Sequence, residues 1–282
     1  MNGEDPQHPV DPERPVDPAR YGPWAVITGG SEGVGRSFAL ELARAGIALL
    51  LVARRAEPLA ATAAECRALG VQVRTLALDL TAPGAVVEIA AAVDDVEVGL
   101  LVLNAGANTH SAPFVDGDLD AFQRVVDLNI TAPLGLIHHF GRAMKTRGRG
   151  GILMVGSLAG YLGSQHHTVY GGVKAFGRIF AESLWLELGE YGVDVLELVL
   201  GVTRTPAMER VGLDFTVPGM TVSEPDDVAR EGLSRLGHGP VHIMSGNEAG
   251  AAQRNEPDRA AAVLRADKGM RRLMGLPERV VR

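Results

Sequence analysis

The chain has a single cysteine, Cys66, among 282 residues. No internal disulfide can form, which suits a reducing, cytoplasmic setting. Cys66 falls in an alanine-rich stretch of helical spacing, where packing is its expected role. Basic residues are outnumbered: 27 Lys and Arg stand against 34 Asp and Glu, a net charge of −7. That balance lacks the electrostatic footprint of a nucleic-acid binder. Long apolar runs are missing as well. The longest, AGIALLLVA at 45–53, is about half of what a membrane span needs. No membrane partner is expected. The N-terminus carries acids and prolines without an apolar run, so no signal peptide is expected either.

What is present is enough for a sizeable core. Hydrophobic residues make up 46% of the chain, and its length fits one large α/β domain or two small ones. Pro6, Pro9, Pro12, Pro15 and Pro18 recur every third residue, the polyproline II period. Residues 1–20 are therefore read as an extended tail, solvated or strapped over a neighbouring subunit. From Trp24 to Gly246 the pattern alternates. Apolar, β-rich runs at 24–28, 47–53, 71–77, 98–103, 151–155, 193–199 and 240–244 are separated by stretches with helical spacing. Strands that read as unbroken apolar runs are covered on both faces, which implies a parallel sheet. The expectation is a single Rossmann-like, doubly wound domain over 21–246, with about seven strands and helices on both faces. Residues 247–282 are polar and should hold one helix near 257–273.

Five segments carry chemistry. The first strand runs through TGGSEGVG, residues 28–35, straight into a helical pattern. A glycine-rich turn there lets backbone N–H groups approach a pyrophosphate, and the helix N-terminus adds a favourable field. The spacing differs from the common Gly-x-Gly-x2-Gly fingerprint, and no P-loop Gly-Lys-Ser/Thr follows. Thr28, Gly29, Ser31, Glu32, Gly33, Val34 and Gly35 are the candidate phosphate cradle. The second strand ends LVARR. Where an NAD-selective site has an acid, Ala53 stands, followed by Arg54 and Arg55. A guanidinium binds a 2′-phosphate bidentately, so NADP(H) is expected over NAD(H). Asp79 and Leu80 end the third strand as a candidate adenine wall. Asn104, Ala105 and Gly106 end the fourth, small enough to let a cofactor approach. Last, YGGVK at 170–174 places Tyr170 and Lys174 on one helix face.

With these segments in this order, the chain resembles the short-chain dehydrogenase/reductases from about Trp24 to Gly246. The resemblance rests on TGGSEGVG, NAG at 104–106, LNI with Asn129, GSLAG with Ser157, and YGGVK. It implies a catalytic set of Ser157, Tyr170, Lys174 and Asn129, with Tyr170 and Lys174 also touching cofactor. It implies that Gly201, Thr203 and Thr205 face the nicotinamide. One departure is visible: the family's Pro-Gly-x-Val-x-Thr after the sixth strand is here LGVTRT, with Leu200 for proline and Thr203 for valine. The resemblance also implies a homodimer or homotetramer, paired through the helices that hold Asn129 and Tyr170.

The chemistry expected is hydride transfer between a ketone or aldehyde and an alcohol. A free phenol titrates near pH 10, and bringing it to about 7 needs about 4 kcal/mol. A cation at about 4 Å supplies that at an effective dielectric near 20, so Lys174 is expected to lower Tyr170. His138–His139 and His166–His167 lack any metal-ligand motif, so no metal is expected. VGSLAG is not a hydrolase elbow, because Val155 and Ala159 stand where glycines are needed. Tyr161, Leu162, Met208, Leu213 and Phe215 fall in segments expected around the substrate, which would make the pocket apolar. The competing readings are a catalytically idle nucleotide sensor or scaffold, and a dehydration or epimerisation with the same cofactor.

Overall fold

A computed structural model describes residues 16–217 and 219–273. Seven parallel strands form one sheet in the order β3-β2-β1-β4-β5-β6-β9. They are β1 (Trp24–Thr28), β2 (Ala48–Ala53), β3 (Val73–Ala77), β4 (Val98–Leu103), β5 (Gly150–Ser157), β6 (Val193–Leu200) and β9 (Val241–Ile243). A two-residue pair, β7 (Val202–Thr203) with β8 (Val222–Ser223), stands apart. The expected doubly wound α/β sheet is what forms.

The helices follow from the same alternation. They are α1 (Pro18–Tyr21), α2 (Gly33–Arg44), α3 (Ala56–Ala68), α4 (Ala85–Ala91), α5 (Leu119–Val126) and α6 (Ala132–Arg147). Then come α7 (Thr168–Gly189), α8 (Pro206–Arg210), α9 (Pro225–Arg235), α10 (Glu248–Arg254) and α11 (Arg259–Leu273). Two apolar layers sandwich the sheet. Phe38, Leu42, Leu59 and Val228 pack against one face, and Ile89, Leu136, Phe140 and Ala181 against the other. Central strands must therefore be apolar on both sides, and all five residues of β1 are buried. Strand order reverses between β1 and β4, and a crevice opens at their carboxyl ends. Among the described residues no helix is long and apolar enough to cross a membrane.

Two boundaries differ from the sequence reading. Pro6, Pro9, Pro12 and Pro15 lie outside the described residues, but Pro18 opens α1 rather than continuing an extended tail. Asp17 caps that turn, its side chain accepting from the Ala19 N–H at 2.9 Å, and proline suits the first helical position. Tyr21 is then buried, and its hydroxyl donates to Asp194 Oδ2 at 2.7 Å, while Arg20 pairs with the same carboxylate. Residues 16–20 are thus part of the domain. Tyr21→Phe should cost about 1 kcal/mol, the loss of one hydrogen bond to a carboxylate that Arg20 still pairs. An unchanged urea midpoint would show that the bond contributes nothing.

At the other end two helices form where one was expected. Pro257 cannot continue α10, and Asp258 restarts the helix by accepting from the Ala261 N–H at 3.0 Å. Both helices pack on the domain: Ala251 and Ala262 are buried, and Arg259 Nη2 donates to the Tyr161 carbonyl at 2.7 Å.

Candidate active site

The glycine loop sits at the end of β1. Gly29 and Gly33 adopt φ of +70° and +54°, which L side chains rarely take. Gly35 is fixed by space instead. A Cβ there would run into the Gly29 carbonyl and lie 2.5 Å from Asn104 Nδ2. Glu32 is the N-cap residue of α2, yet no side chain caps that helix. Its first-turn N–H groups therefore face the crevice without a side-chain acceptor. Thr28 and Asn104 are the loop's scaffolding. Thr28 is 1% exposed, and its hydroxyl accepts from the Ala105 N–H at 3.1 Å. Asn104 Nδ2 donates to the carbonyls of Thr28 and Gly29 at 3.2 and 3.1 Å. Ser31 offers its carbonyl to the Thr62 hydroxyl at 3.1 Å, and Val34 is core.

At the end of β2 the two arginines diverge. Arg55 Nη2 donates to Glu32 Oε2 at 2.6 Å. The same carboxylate takes two bonds from Arg210 on α8, which holds it below the usual carboxylate range, with Arg55 adding to the effect. No hydrogen bond or ion pair engages the exposed Arg54 among the described residues. Asp79 is the charge beside it. The Thr81 N–H holds the Asp79 carboxyl low against its partial burial, with the Thr81 hydroxyl and Arg54 helping. Leu80 is buried behind it.

Ser157 ends β5, and its Oγ accepts from the Ala159 N–H at 3.1 Å. Tyr170 and Lys174 come from the first turns of α7. Lys174 Nζ donates to the Val155 carbonyl at 3.0 Å and lies 5.9 Å from the Tyr170 ring centroid. Gly106 completes the corner: a Cβ there would sit 2.8 Å from Asn129 Oδ1 and 3.0 Å from Lys174 Nζ. Asn129 projects from a π-helical turn, Asp127–Thr131, between α5 and α6. The widened turn leaves its Nδ2 bonded to the Val125 and Ala107 carbonyls at 2.9 and 3.1 Å, and its buried Oδ1 without a partner. A cavity of about 30 Å³, lined by Ala105, Asn129, Lys174 and Glu197, lies beneath. That is about the volume of one water.

The electrostatics depart from the sequence reading. Burial pushes the Tyr170 phenol above its usual range, opposed by hydrogen bonding from Ser157 and not by Lys174. Burial also lowers Lys174, to about 8, against the pull of Glu197. In the protein alone desolvation outweighs the cation, so a depressed phenol is not a property of the unliganded chain.

The segment after β6 closes over the loop. The Thr205 hydroxyl caps α8 by accepting from the Met208 N–H at 3.3 Å, and its Cγ2 lies 3.1 Å from where a Cβ on Gly33 would be. Asn247 packs so closely against Gly201 that its Cγ lies 2.8 Å from where a Cβ would stand. Thr203 is buried with its hydroxyl unpartnered. Leu200 stays in the sheet, in register with Ser157, so β6 runs on where the family has proline. Of the expected substrate residues, Tyr161 is core: it packs on Val199 and Ala251, with the Arg178 guanidinium 4.6 Å from its ring. Met208 is exposed, Leu162, Leu213 and Phe215 are partly so, and Arg204 lies over the Phe215 ring at 4.6 Å. His138 and His139 are exposed on α6. Among the described residues no group of three His, Cys, Asp or Glu is placed to hold a metal ion.

Sequence reasoning missed Glu197 and Arg210. Glu197 breaks the apolar run of β6, VDVLELVL, which was a usable signal. Nothing marked Arg210.

The sheet order, the glycine loop and this corner converge with one further observation: the short chain dehydrogenase family matches residues 23–214. The chain belongs to that family. It is 35% identical over 230 residues to a very-long-chain 3-oxoacyl-CoA reductase of Ajellomyces capsulatus, covering 78% of this chain and 66% of that one. It therefore spans slightly less than two thirds of that relative's length. A 7beta-hydroxysteroid dehydrogenase of Collinsella aerofaciens is 30% identical over 190 residues, 67% of this chain and 72% of that protein. Among solved structures, a 7beta-hydroxysteroid dehydrogenase superposes with a TM-score of 0.80 at 26% identity, covering 92% of this chain and 98% of that one. A short-chain dehydrogenase from Sphingobium yanoikuyae in complex with NADPH does so at 0.72 and 31%, covering 92% and 98%.

Proposed function

We propose that the chain is an NADP(H)-dependent oxidoreductase interconverting a bulky, apolar ketone and its secondary alcohol. The observation that carries this reading is the convergence of Ser157, Tyr170, Lys174 and Asn129 beside the glycine loop. An idle sensor or scaffold has no use for an unpartnered amide oxygen, a half-buried ammonium and a half-buried phenol at one corner. The residues fit a dinucleotide: Gly35 lets the start of α2 pack directly on the Gly29 turn, and Glu32 leaves that start without a side-chain cap, which suits a pyrophosphate. The bound nicotinamide would supply or accept the hydride. In reduction Tyr170 gives its hydroxyl proton to the developing alkoxide, and Ser157 donates to the same oxygen. Lys174, an ammonium, would hold the nicotinamide ribose and favours the phenolate left behind. Asn129 Oδ1 accepts from a water that links Lys174 outward.

The substrate class draws on the relatives. A hydroxysteroid and a very long acyl chain share an apolar skeleton beside the reacting carbon. Oxidation of NADPH against a panel of ketones tests the reading. Bulky apolar ketones should turn over at least about tenfold faster, by kcat/KM, than short polar ones. No ketone-dependent oxidation with any member would defeat it.

The cofactor preference rests on Arg54. Among the described residues no ion pair engages its guanidinium at the end of β2, whereas Arg55 is committed to Glu32. Arg54→Ala should weaken NADPH about 10- to 100-fold, the worth of a charge-assisted hydrogen bond, and leave NADH nearly unchanged. A wild-type protein stabilised in thermal shift by NADH alone would overturn the preference.

A cytoplasmic homo-oligomer completes the proposal. Phe176, Ile179 and Leu186 leave an apolar stripe exposed on α7, the helix expected at the subunit interface.

A further inference from the structure

Glu197 is the least expected residue in the sheet. It sits in the middle of β6 with 2% of its surface exposed, among leucines and valines. Burying a carboxylate this way costs several kcal/mol unless a charge answers it. The surroundings are shaped for it. Its Oε1 lies 2.6 Å from where a Cβ on Gly156 would be and 2.8 Å from where one on Gly177 would be. Two glycines, on β5 and α7, thus form a slot that any side chain would close. The neighbours at the same register on the adjacent strands, Met154 and Val241, are apolar. The slot leads into the cavity behind the catalytic corner, which Glu197 shares with Lys174 and Asn129. Two buried oxygens there have no partner, Glu197 Oε2 and Asn129 Oδ1.

We propose that Glu197 is a positioning residue of this site: its carboxylate is the buried counter-charge that keeps the Lys174 ammonium protonated and aimed at the catalytic corner. This rests on the oxidoreductase reading for its purpose, though not for its test. The alternative partner is Arg178, one turn along α7, whose guanidinium is stacked on Tyr161. The charged and titratable groups facing Glu197 are Lys174, Arg178 and Glu182 from α7 and Tyr161 from the loop after β5. Lys174 is the strongest of the attractive charges.

The signs are clear. Burial pushes the Glu197 carboxyl up to about 7, and Lys174 pulls it back. Burial pushes Lys174 down to about 8, and Glu197 pulls it up. Between those values both are charged and each supports the other. Removing the carboxylate leaves burial unopposed, so Lys174 must lose its proton at a lower pH.

The chain has only three lysines, Lys145, Lys174 and Lys268, so protein carrying ¹³C at the lysine Cε gives three resolvable signals. Lys174→Met assigns the buried one. In the wild-type protein its shift should titrate with a midpoint near 8 and a second, smaller inflection near 7 as Glu197 ionises. In Glu197→Gln, which keeps the shape, the second inflection should vanish and the midpoint fall by about one unit or more. An unchanged midpoint in Glu197→Gln would overturn the proposal, and Arg178 would then be the partner. If the variant fails to fold, a wild-type Lys174 signal with no second inflection anywhere below its own midpoint overturns it instead. None of these signals depends on turnover, so a failed ketone assay leaves the result intact.

Discussion

Replacing Tyr170 by phenylalanine should lower kcat about 10²- to 10⁴-fold, the range for removing a general acid, with NADPH affinity unchanged. Phenylalanine keeps the ring and loses only the hydroxyl, so packing against α7 and the strand ends survives. Tyr170 alone among the four residues carries a proton the developing alkoxide can take. Ser157 can donate a hydrogen bond, but an aliphatic hydroxyl is too weak an acid to surrender its proton, and Asn129 spends both amide hydrogens on carbonyls. Lys174 donates to the Val155 carbonyl and stands behind the ring. Without ligand the phenol is held above its usual range by burial, so the unliganded site rests with its proton in place. That is the form reduction requires. In the reductive direction the rate should be flat with pH while both Lys174 and the phenol keep their protons, and fall above about 8 as Lys174 loses its charge. Steady-state NADPH oxidation at saturating ketone, with cofactor affinity measured separately by fluorescence, separates the two effects. Turnover within a few-fold of wild type would remove Tyr170 from its role.

How much of this was legible in the chain depends on the range of each interaction. The strands read correctly because each is an unbroken apolar run, and both faces of a central parallel strand are covered. The segments that meet at the candidate site were visible because their signals are local: Tyr170 and Lys174 sit one helical turn apart, and the glycine loop is contiguous. Glu197 and Arg210 did not, because their meaning is set by elements far away. Glu197 reads as a flaw in an apolar strand until Gly156 and Gly177 are seen to make room for it. Arg210 reads as the solvated end of a short helix until α8 folds back and delivers it to Glu32, 178 residues earlier. The direction of the Tyr170 shift failed for a related reason. Spacing predicts that two groups are neighbours, but the desolvation that opposes their attraction depends on everything packed around them. At the N-terminus the proline period was real in the sequence, yet Asp17 and Tyr21 gave the chain a cap and a buried anchor that ended it.

Gly35→Ala should be among the most damaging single-methyl changes in the described residues. The added carbon would collide with the Gly29 carbonyl and lie 2.5 Å from Asn104 Nδ2. Neither neighbour can yield cheaply. The carbonyl belongs to a loop residue at φ +70°. The amide is held by two carbonyls at 3.1 and 3.2 Å and in turn fixes the ends of β1 and β4. Relief requires moving the start of α2 away from the loop, which spoils the N–H cradle. NADPH affinity should fall at least about 100-fold, beyond the loss of any single hydrogen bond. Overpacking of this kind costs about 1–3 kcal/mol, so the melting temperature should fall by about 3–10 °C. Gly189→Ala at the far end of α7 is the matched control. Its added methyl meets nothing within 4 Å, and alanine favours helix over glycine by up to about 1 kcal/mol. It should melt no lower than wild type and bind NADPH normally. If Gly35→Ala binds NADPH as wild type does, the loop is not the phosphate cradle, whatever happens to its melting temperature.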